Sequence, residues 1–305
     1  MSEERVITTG LAFPEGPAFD KNGLLHIVEL AGHRVTQIAA DGTATVLAET
    51  TGSPNGLAFG PDGNMYVCNG GNRWAAEQCT DNVAGPGDHP GLIQKLTPDG
   101  QFSTLISEID GTPINSPNDL AFDDHGGFYF TDPVWPGPEG TLESIKPGAA
   151  LCYSDTAGNA KRILVGFGRN GGIGYCNGIG VTDDGKTLLV NDSVSGWITA
   201  YPITSPGEIG EPFDYGFLGK GTVPDGFAFD AEGRVISAGH GTGRLHVFPP
   251  GGGEKEEEIV LTDKGITNVC FGGPNFSTLY ITQSDQGRVA TYEWKAPGMT
   301  LFPDR

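Results

Sequence analysis

An all-β fold, six four-stranded antiparallel blades closed into a ring as a six-bladed β-propeller, is predicted by three features of the 305-residue chain. One phrase recurs six times, a second pair of strand-like segments follows most copies, and one strand-like segment near the N-terminus is left over to complete the last blade. Composition agrees: 49 glycines, 22 prolines and a hydrophobic share of 37% suit many short strands joined by tight turns. The ring is expected to form a single domain spanning residues 1–305.

The first copy is EGPAFDKNGLLHIVE from Glu15: a short apolar run, a turn rich in Asp, Asn and Gly, and a second apolar run. That pattern is a β-hairpin. Its outer pair is RVTQIAADGTATVLA. The second copy, NGLAFGPDGNMYVCN from Asn55, has LIQKLTPDGQFSTLI as its outer pair. The third is NDLAFDDHGGFYFTD from Asn118 and the fourth NGIGVTDDGKTLLVND from Asn177. The fifth, DGFAFDAEGRVISAG from Asp225, is followed by LHVFPPGGGEKEEEIVL. After the sixth, TNVCFGGPNFSTLYIT from Thr267, only RVATYEW and a short tail remain, so its outer strand is missing there. RVITTGL near the N-terminus fills that place and closes the ring, which removes the exposed edges of an open sheet. Two inserts, 70–90 and 133–148, are rich in Gly, Pro and aromatic residues and directly follow inner hairpins. Such loops serve as functional lids or as surface decoration.

Formal net charge is −20, from 38 acidic and 18 basic residues. That field repels nucleic acid and anionic membranes, so neither is an expected partner. No apolar stretch approaches the roughly 18 residues of a membrane span, and the polar start Met1–Arg5 leads into no signal core, which predicts a cytoplasmic location. Cys68, Cys79, Cys152, Cys176 and Cys270 form no CxxC pair and have no histidine at zinc-site spacing. Their odd count fits a reducing compartment, although a Cys68–Cys79 bridge across the intervening loop is conceivable.

Aligned on Phe19, Phe59, Phe122, Val181, Phe229 and Phe271, the repeats place Glu15, Asn55, Asn118, Asn177, Asp225 and Thr267 four positions earlier. Equivalent positions in a ring of blades lie at similar height, so these side chains are expected to converge on the axis. On one reading, Asn and Asp simply cap the entry to each inner strand. On the other, the ring holds a hard cation, because clustered carboxyl and amide groups are costly without a partner. Calcium accepts such oxygens in irregular geometry. Glu15 and Asp225 would then offset its charge, and Asn118 and Asn177 would add neutral oxygens. The ring lacks Cys and His, which argues against a dedicated zinc, copper or nickel centre.

FPEGP around Glu15, SPNDLAFD, NGIGVTDDGKTLLVNDS and PDGFAFDAEG occur in order and at blade spacing. Together they resemble the regucalcin (senescence marker protein)/gluconolactonase family of calcium-dependent lactonases, over about residues 10–295. The resemblance implies a six-bladed propeller and one divalent cation, Ca²⁺, with Zn²⁺, Mg²⁺ or Mn²⁺ as substitutes. It implies metal ligands at Glu15, Asn177 and Asp225, with Asn118 as a further ligand or a substrate contact and Asn55 in a supporting or water-mediated role. It also implies hydrolytic opening of a small-molecule lactone or ester substrate, with Asp225 as the general base, by a monomer or small homo-oligomer.

In each hairpin the second strand returns to the face where the first began, so Glu29, Asn69, Asp132, Asn191, Asp192 and Gln283 with Ser284 are expected around the channel mouth, with His240 in a similar place. Among them Asn69 and Asp192, with Asn55 and Asn118 below, are the expected substrate contacts. His26, His33, His89, His125 and His246 read as surface or turn residues. Ser116 stands where the animal gluconolactonase pattern has an arginine, and Ser284 where the related diisopropyl fluorophosphatase has a histidine. The rival readings are a phosphotriesterase on the same scaffold, a strictosidine-synthase-like bond former without an essential metal, and a non-catalytic propeller that binds calcium or protein.

Overall fold

The computed structural model describes residues 3–71, 91–134, 145, 147–169 and 173–302, and contains no α-helix among them. Six antiparallel blades follow one another around a central channel, and a separate two-stranded pair, Glu108–Ile109 with Thr112–Pro113, precedes the third. The first blade is Pro14–Phe19, Leu25–Glu29, Arg34–Ile38 and Ala44–Glu49; the second is Pro54–Phe59, Met65–Asn69, Leu92–Leu96 and Phe102–Ile106. The third is Leu120–Phe122, Phe128–Asp132, Ala150–Ser154 and Ala160–Val165. The fourth is Cys176–Val181, Thr187–Asp192, Trp197–Ser205 and Phe213–Phe217, with a short extra strand, Glu208–Ile209, paired to its third. The fifth is Val223–Phe229, Val235–His240, Arg244–Phe248 and Glu257–Val260.

In the sixth blade, Ile266–Gly272, Thr278–Gln283 and Arg288–Glu293 are completed by Arg5–Thr9. Arg5 pairs with Thr291 and Thr9 with Arg288, so the N-terminal segment supplies the missing outer strand as the sequence predicts.

The recurring turn aspartates explain the hairpins locally. Asp123 Oδ1 accepts the backbone N–H of His125 and Gly127, both at 2.9 Å. Asp20 does the same for Asn22 and Leu24, and Asp230 for Glu232 and Arg234. Each carboxylate thereby folds the turn over itself. This capping occurs at the end of the inner strand away from Glu15 and its equivalents.

Packing fixes the ring. The six apolar clusters among the described residues each lie between two neighbouring blades; Val28, Leu57 and Val67 join the first to the second, and Leu25, Ile27 and Val289 join the first to the sixth. Strands packed on both faces have no solvent side, and this corrects the reading of two histidines. His26 and His246 are each only 2% exposed, because their strands are covered by the blades on either side. His125, by contrast, sits in an exposed turn, and His89 lies outside the described residues. Of the two inserts, only residues 70–71, 133–134, 145 and 147–148 fall within the described residues, and Cys79 does not; Cys68 is a free, buried thiol.

Polar tethers bind one inner strand to the next at the height of the ring. Thr131 Oγ1 donates to Asn177 O at 2.9 Å and Ser193 Oγ to Pro224 O at 2.7 Å. Thr267 Oγ1 donates to Pro14 O at 2.8 Å and joins Thr282 Oγ1 at 2.8 Å. Thr267 is thus the weld between the last and first blades and does not join the converging side chains, a correction to its place in the predicted ring. Thr267→Val keeps the shape but strands a buried acceptor, so it should lower unfolding free energy by about 1–3 kcal/mol in urea denaturation. A loss near zero would show that closure does not depend on this bond.

After the last strand the chain crosses the far end of the channel as a strap. Ala231 N donates to Pro297 O, Gly298 N to Phe276 O and Met299 N to Phe229 O. Phe302 then packs against the clusters that flank the third blade.

Candidate functional site

The inner strands are irregular where the ring residues sit. Register shifts interrupt the pairing between Glu15 and Ala18, Pro54 and Leu57, Cys176 and Ile179, Pro224 and Phe227, and Ile266 and Asn268. A bulge adds a residue on one strand and re-aims the side chains beside it. Glycine follows the ring residue in four blades, at Gly16, Gly56, Gly178 and Gly226, and each packs against the next inner strand. A Cβ on Gly178 would come within 2.5 Å of Asp225 O, one on Gly56 within 2.6 Å of Asp119 Oδ1, and one on Gly226 would overlap the Asn268 carboxamide. Gly16 also has φ +48, in the left-handed region where other residues are strained.

Glu15, Asn118, Asn177 and Asp225 are all buried. Glu15 Oε2 accepts Gly16 N–H at 2.9 Å and the Asn268 Nδ2 amide at 3.3 Å. Burial pushes the Glu15 carboxyl up to about 8, and the neighbouring Asp119 charge adds to the rise. Asp225 is driven well above the usual carboxylate range, first by burial and then by repulsion from Glu15. Asn177 hydrogen-bonds Asp225 and donates to Ser193 Oγ at 3.2 Å. The Asp225 backbone is held in turn, since its carbonyl accepts from Asn191 Nδ2. Asn118 reaches the Tyr175 hydroxyl, while its Oδ1 is buried with no hydrogen-bond partner. Asn55 is half-buried in the inner strand of the second blade, in register with these four.

Asp119 completes the electrostatics of the site, and sequence reasoning missed it. Its carboxyl is pushed up to about 7 by burial, against hydrogen bonds from the Leu120 and Ile179 N–H groups and the Asn268 side chain. Asp119 belongs to the third blade and Asn268 to the sixth, which face each other across the channel, so this pair spans the axis directly beneath the ring. The signal was present in the repeat: where four copies have glycine after the ring residue, these two have Asp and Asn.

The strand-end residues have a different occupation. Glu29 accepts Ala12 N–H at 2.7 Å and is held by Arg34 at 2.7 Å and Thr36 at 2.5 Å. Asp132 accepts Asn115 and Ser116 N–H groups, and Asp192 accepts Tyr175 and Val194 N–H groups at 3.1 Å. These carboxylates clamp the loops that lead into their own inner strands. Asn69 donates to Gln94 at 2.8 Å and accepts Gly71 N–H at 2.9 Å, which engages both ends of its carboxamide inside the second blade. The geometry therefore ties Asn69 and Asp192 to the scaffold; only Asp192 keeps an oxygen, Oδ2, without a hydrogen-bond partner.

Two buried carboxyls, Glu15 and Asp225, with the half-buried Asp119 beside them and a single amide between Glu15 and Asp119, are unfavourable as anions. A bare carboxamide oxygen beside them adds to the deficit. A hard divalent cation answers both, and two carboxylates with two carboxamides make an oxygen donor set of the kind calcium accepts. The residues present fit such an ion. Among the described residues no group of three or more His, Cys, Asp or Glu side chains forms a metal centre, so any such site depends on the carboxamides.

Comparison with known proteins agrees with this architecture. The family described as SMP-30/gluconolactonase/LRE-like region matches residues 13–285. The chain is 26% identical to diisopropyl-fluorophosphatase of Loligo vulgaris over 97% of its own length and 93% of the relative's. It is 25% identical to gluconolactonase of Zymomonas mobilis, over 92% and 78%. Among solved structures, a gluconolactonase from Xanthomonas campestris superposes with TM-score 0.75 at 24% identity, over 96% of this chain and 89% of that one. A calcium-binding regucalcin from Agrobacterium tumefaciens does so with TM-score 0.73 at 17% identity, over 98% of each.

Proposed function

Because the chain belongs to the SMP-30/gluconolactonase/LRE-like family, we propose that it is a lactonase, a hydrolase that opens cyclic esters at the ring of Glu15, Asn118, Asn177 and Asp225. The observation that carries this reading is the meeting of two buried carboxyls from opposite parts of the chain, Glu15 and Asp225, beside the unpaired Asn118 oxygen. The relative named gluconolactonase supports the substrate class, and the regucalcin described as calcium-binding supports a divalent cation.

The four ring residues are proposed to hold one divalent cation, which when bound supplies Lewis-acid polarisation of the ester carbonyl. Glu15 and Asp225 contribute charge, while Asn118 and Asn177 contribute neutral oxygens and fix spacing. Asp225 accepts a proton from the attacking water as the C–O bond to the carbonyl carbon forms. When the ring C–O bond breaks, the same carboxyl returns the proton to the departing ring oxygen, leaving a hydroxy acid. Asn177 and Asn191 hold Asp225 in place through its side chain and its carbonyl. Asn55, at the same height and half-exposed, is the proposed contact for the substrate's polar substituents.

The test joins metal analysis of the purified protein to a pH-stat screen of δ- and γ-lactones, before and after chelation. Acid release should vanish with chelator and return with calcium. Turnover that persists in metal-free protein would exclude the cation's role. The 26% identity to a fluorophosphatase favours a second activity, and fluoride release from a phosphofluoridate in the same assay would detect it.

A further inference from the structure

Beyond the ring lies a chamber of about 460 Å³, lined by none of Glu15, Asn118, Asn177 and Asp225. Its roof is the Asp119–Asn268 pair and its floor is the strap, Met299–Phe302. Three residues after each ring residue the inner strands carry Ala18, Ala58, Ala121, Gly180, Ala228 and Cys270, and all six line the chamber. The next position is aromatic in five of the six strands and also lines it. The polar atoms of the roof are turned elsewhere: Asp119 accepts Leu120 N–H at 2.9 Å, and Asn268 accepts Val269 N–H at 2.8 Å while donating to Glu15.

Protein interiors leave few voids larger than a water molecule. A void kept open by a belt of six small side chains is therefore a built feature. Its size lies within the range of small-molecule sites, about 300–1,000 Å³. Mostly apolar walls favour an apolar solute over water, and a wall rich in phenylalanine favours an aromatic one.

We propose that this chamber is a second binding site, for one small aromatic molecule, separate from the ring above it and entered from the strap side. The roof pair crosses the axis, so access past the ring is blocked. The proposal does not depend on the lactonase reading.

The probe is 1-naphthol, titrated into the full-length protein with and without chelator. One saturable site per chain is expected, unchanged by chelation, with NMR cross-relaxation from the naphthol protons to the Ala121 and Met299 methyl groups. Ala58→Leu combined with Ala228→Leu fills the belt and should weaken binding by about tenfold or more, while lactone hydrolysis is unchanged. The absence of saturable binding, contacts to the ring residues in place of the chamber methyls, or full affinity in the filled variant would each overturn the proposal. Should the filled variant fail to fold, the cross-relaxation in the unaltered protein decides alone.

Discussion

Asp225→Asn is expected to lower kcat for lactone opening by about 10²–10⁴-fold while the chain stays folded. The substitution keeps the volume, the oxygen beside Asn177 and the carbonyl held by Asn191. What it removes is the group proposed to take the proton from water. It also removes one of two ring charges, so cation affinity should fall, and kcat must be measured at saturating calcium to separate the two effects. Glu15→Gln is the control: it removes the other charge, and its loss of activity should be recovered in larger part by raising calcium. A D225N protein that turns over normally at saturating calcium would dismiss Asp225 as the base.

The chelated protein is expected to lose stability as pH rises from 5 to 8, the reverse of what most carboxylates do. Glu15 is raised from 4.5 to about 8 and Asp119 from 3.8 to about 7, each chiefly by burial, and Asp225 moves the same way. A carboxyl whose folded pKa lies above its unfolded one stabilises the fold fully below the unfolded value, and that contribution is lost as pH climbs through the folded value. The window therefore runs from about pH 4 to pH 8. With Tm moving roughly 2–4 °C per kcal/mol in domains of 150–250 residues, a fall of several degrees is expected. Calcium removes the repulsion, so its stabilising effect should be larger at pH 8 than at pH 5, and binding near pH 6 should release protons. Differential scanning calorimetry across this range, with calcium and with chelator, measures both. A flat Tm in chelator, or an equal calcium shift at the two pH values, would falsify the electrostatic account of the ring.

Much of this was legible in the sequence because the repeat states it six times. The hairpin turn writes itself in Asp and Gly, and the leftover RVITTGL segment is the strand that closes the ring. Alignment also brings Glu15, Asn118, Asn177 and Asp225 to one height. What alignment does not give is direction. Thr267 occupies the same register but turns its hydroxyl to Pro14 O, because a short β-branched side chain bonds the backbone beside it more readily than it spans a channel. Asp119 lies one residue off the ring and was passed over, and only the closed ring brings it to Asn268. That Glu29, Asp132 and Asp192 also clamp loops was not legible, because their partners include backbone N–H groups, which sequence does not display. His26 was misread because exposure in a propeller depends on the neighbouring blade, which the local pattern does not reveal.

The glycines at positions 16, 56, 178 and 226 have a consequence for which ions the channel can tolerate. Where they stand, there is no room for a methyl group: positions 16, 56 and 178 rest on the backbone of the adjoining strand and position 226 on the Asn268 carboxamide, so close contact between strands gauges the bore. Exchanging one donor for another, an amide for an acid, therefore alters the charge offered to an ion while leaving the diameter of the opening alone. A single added methyl at any of the four would instead wedge two strands apart and displace several of the proposed ligands together, so selectivity at the proposed cation site should be lost even though none of these positions supplies a side chain.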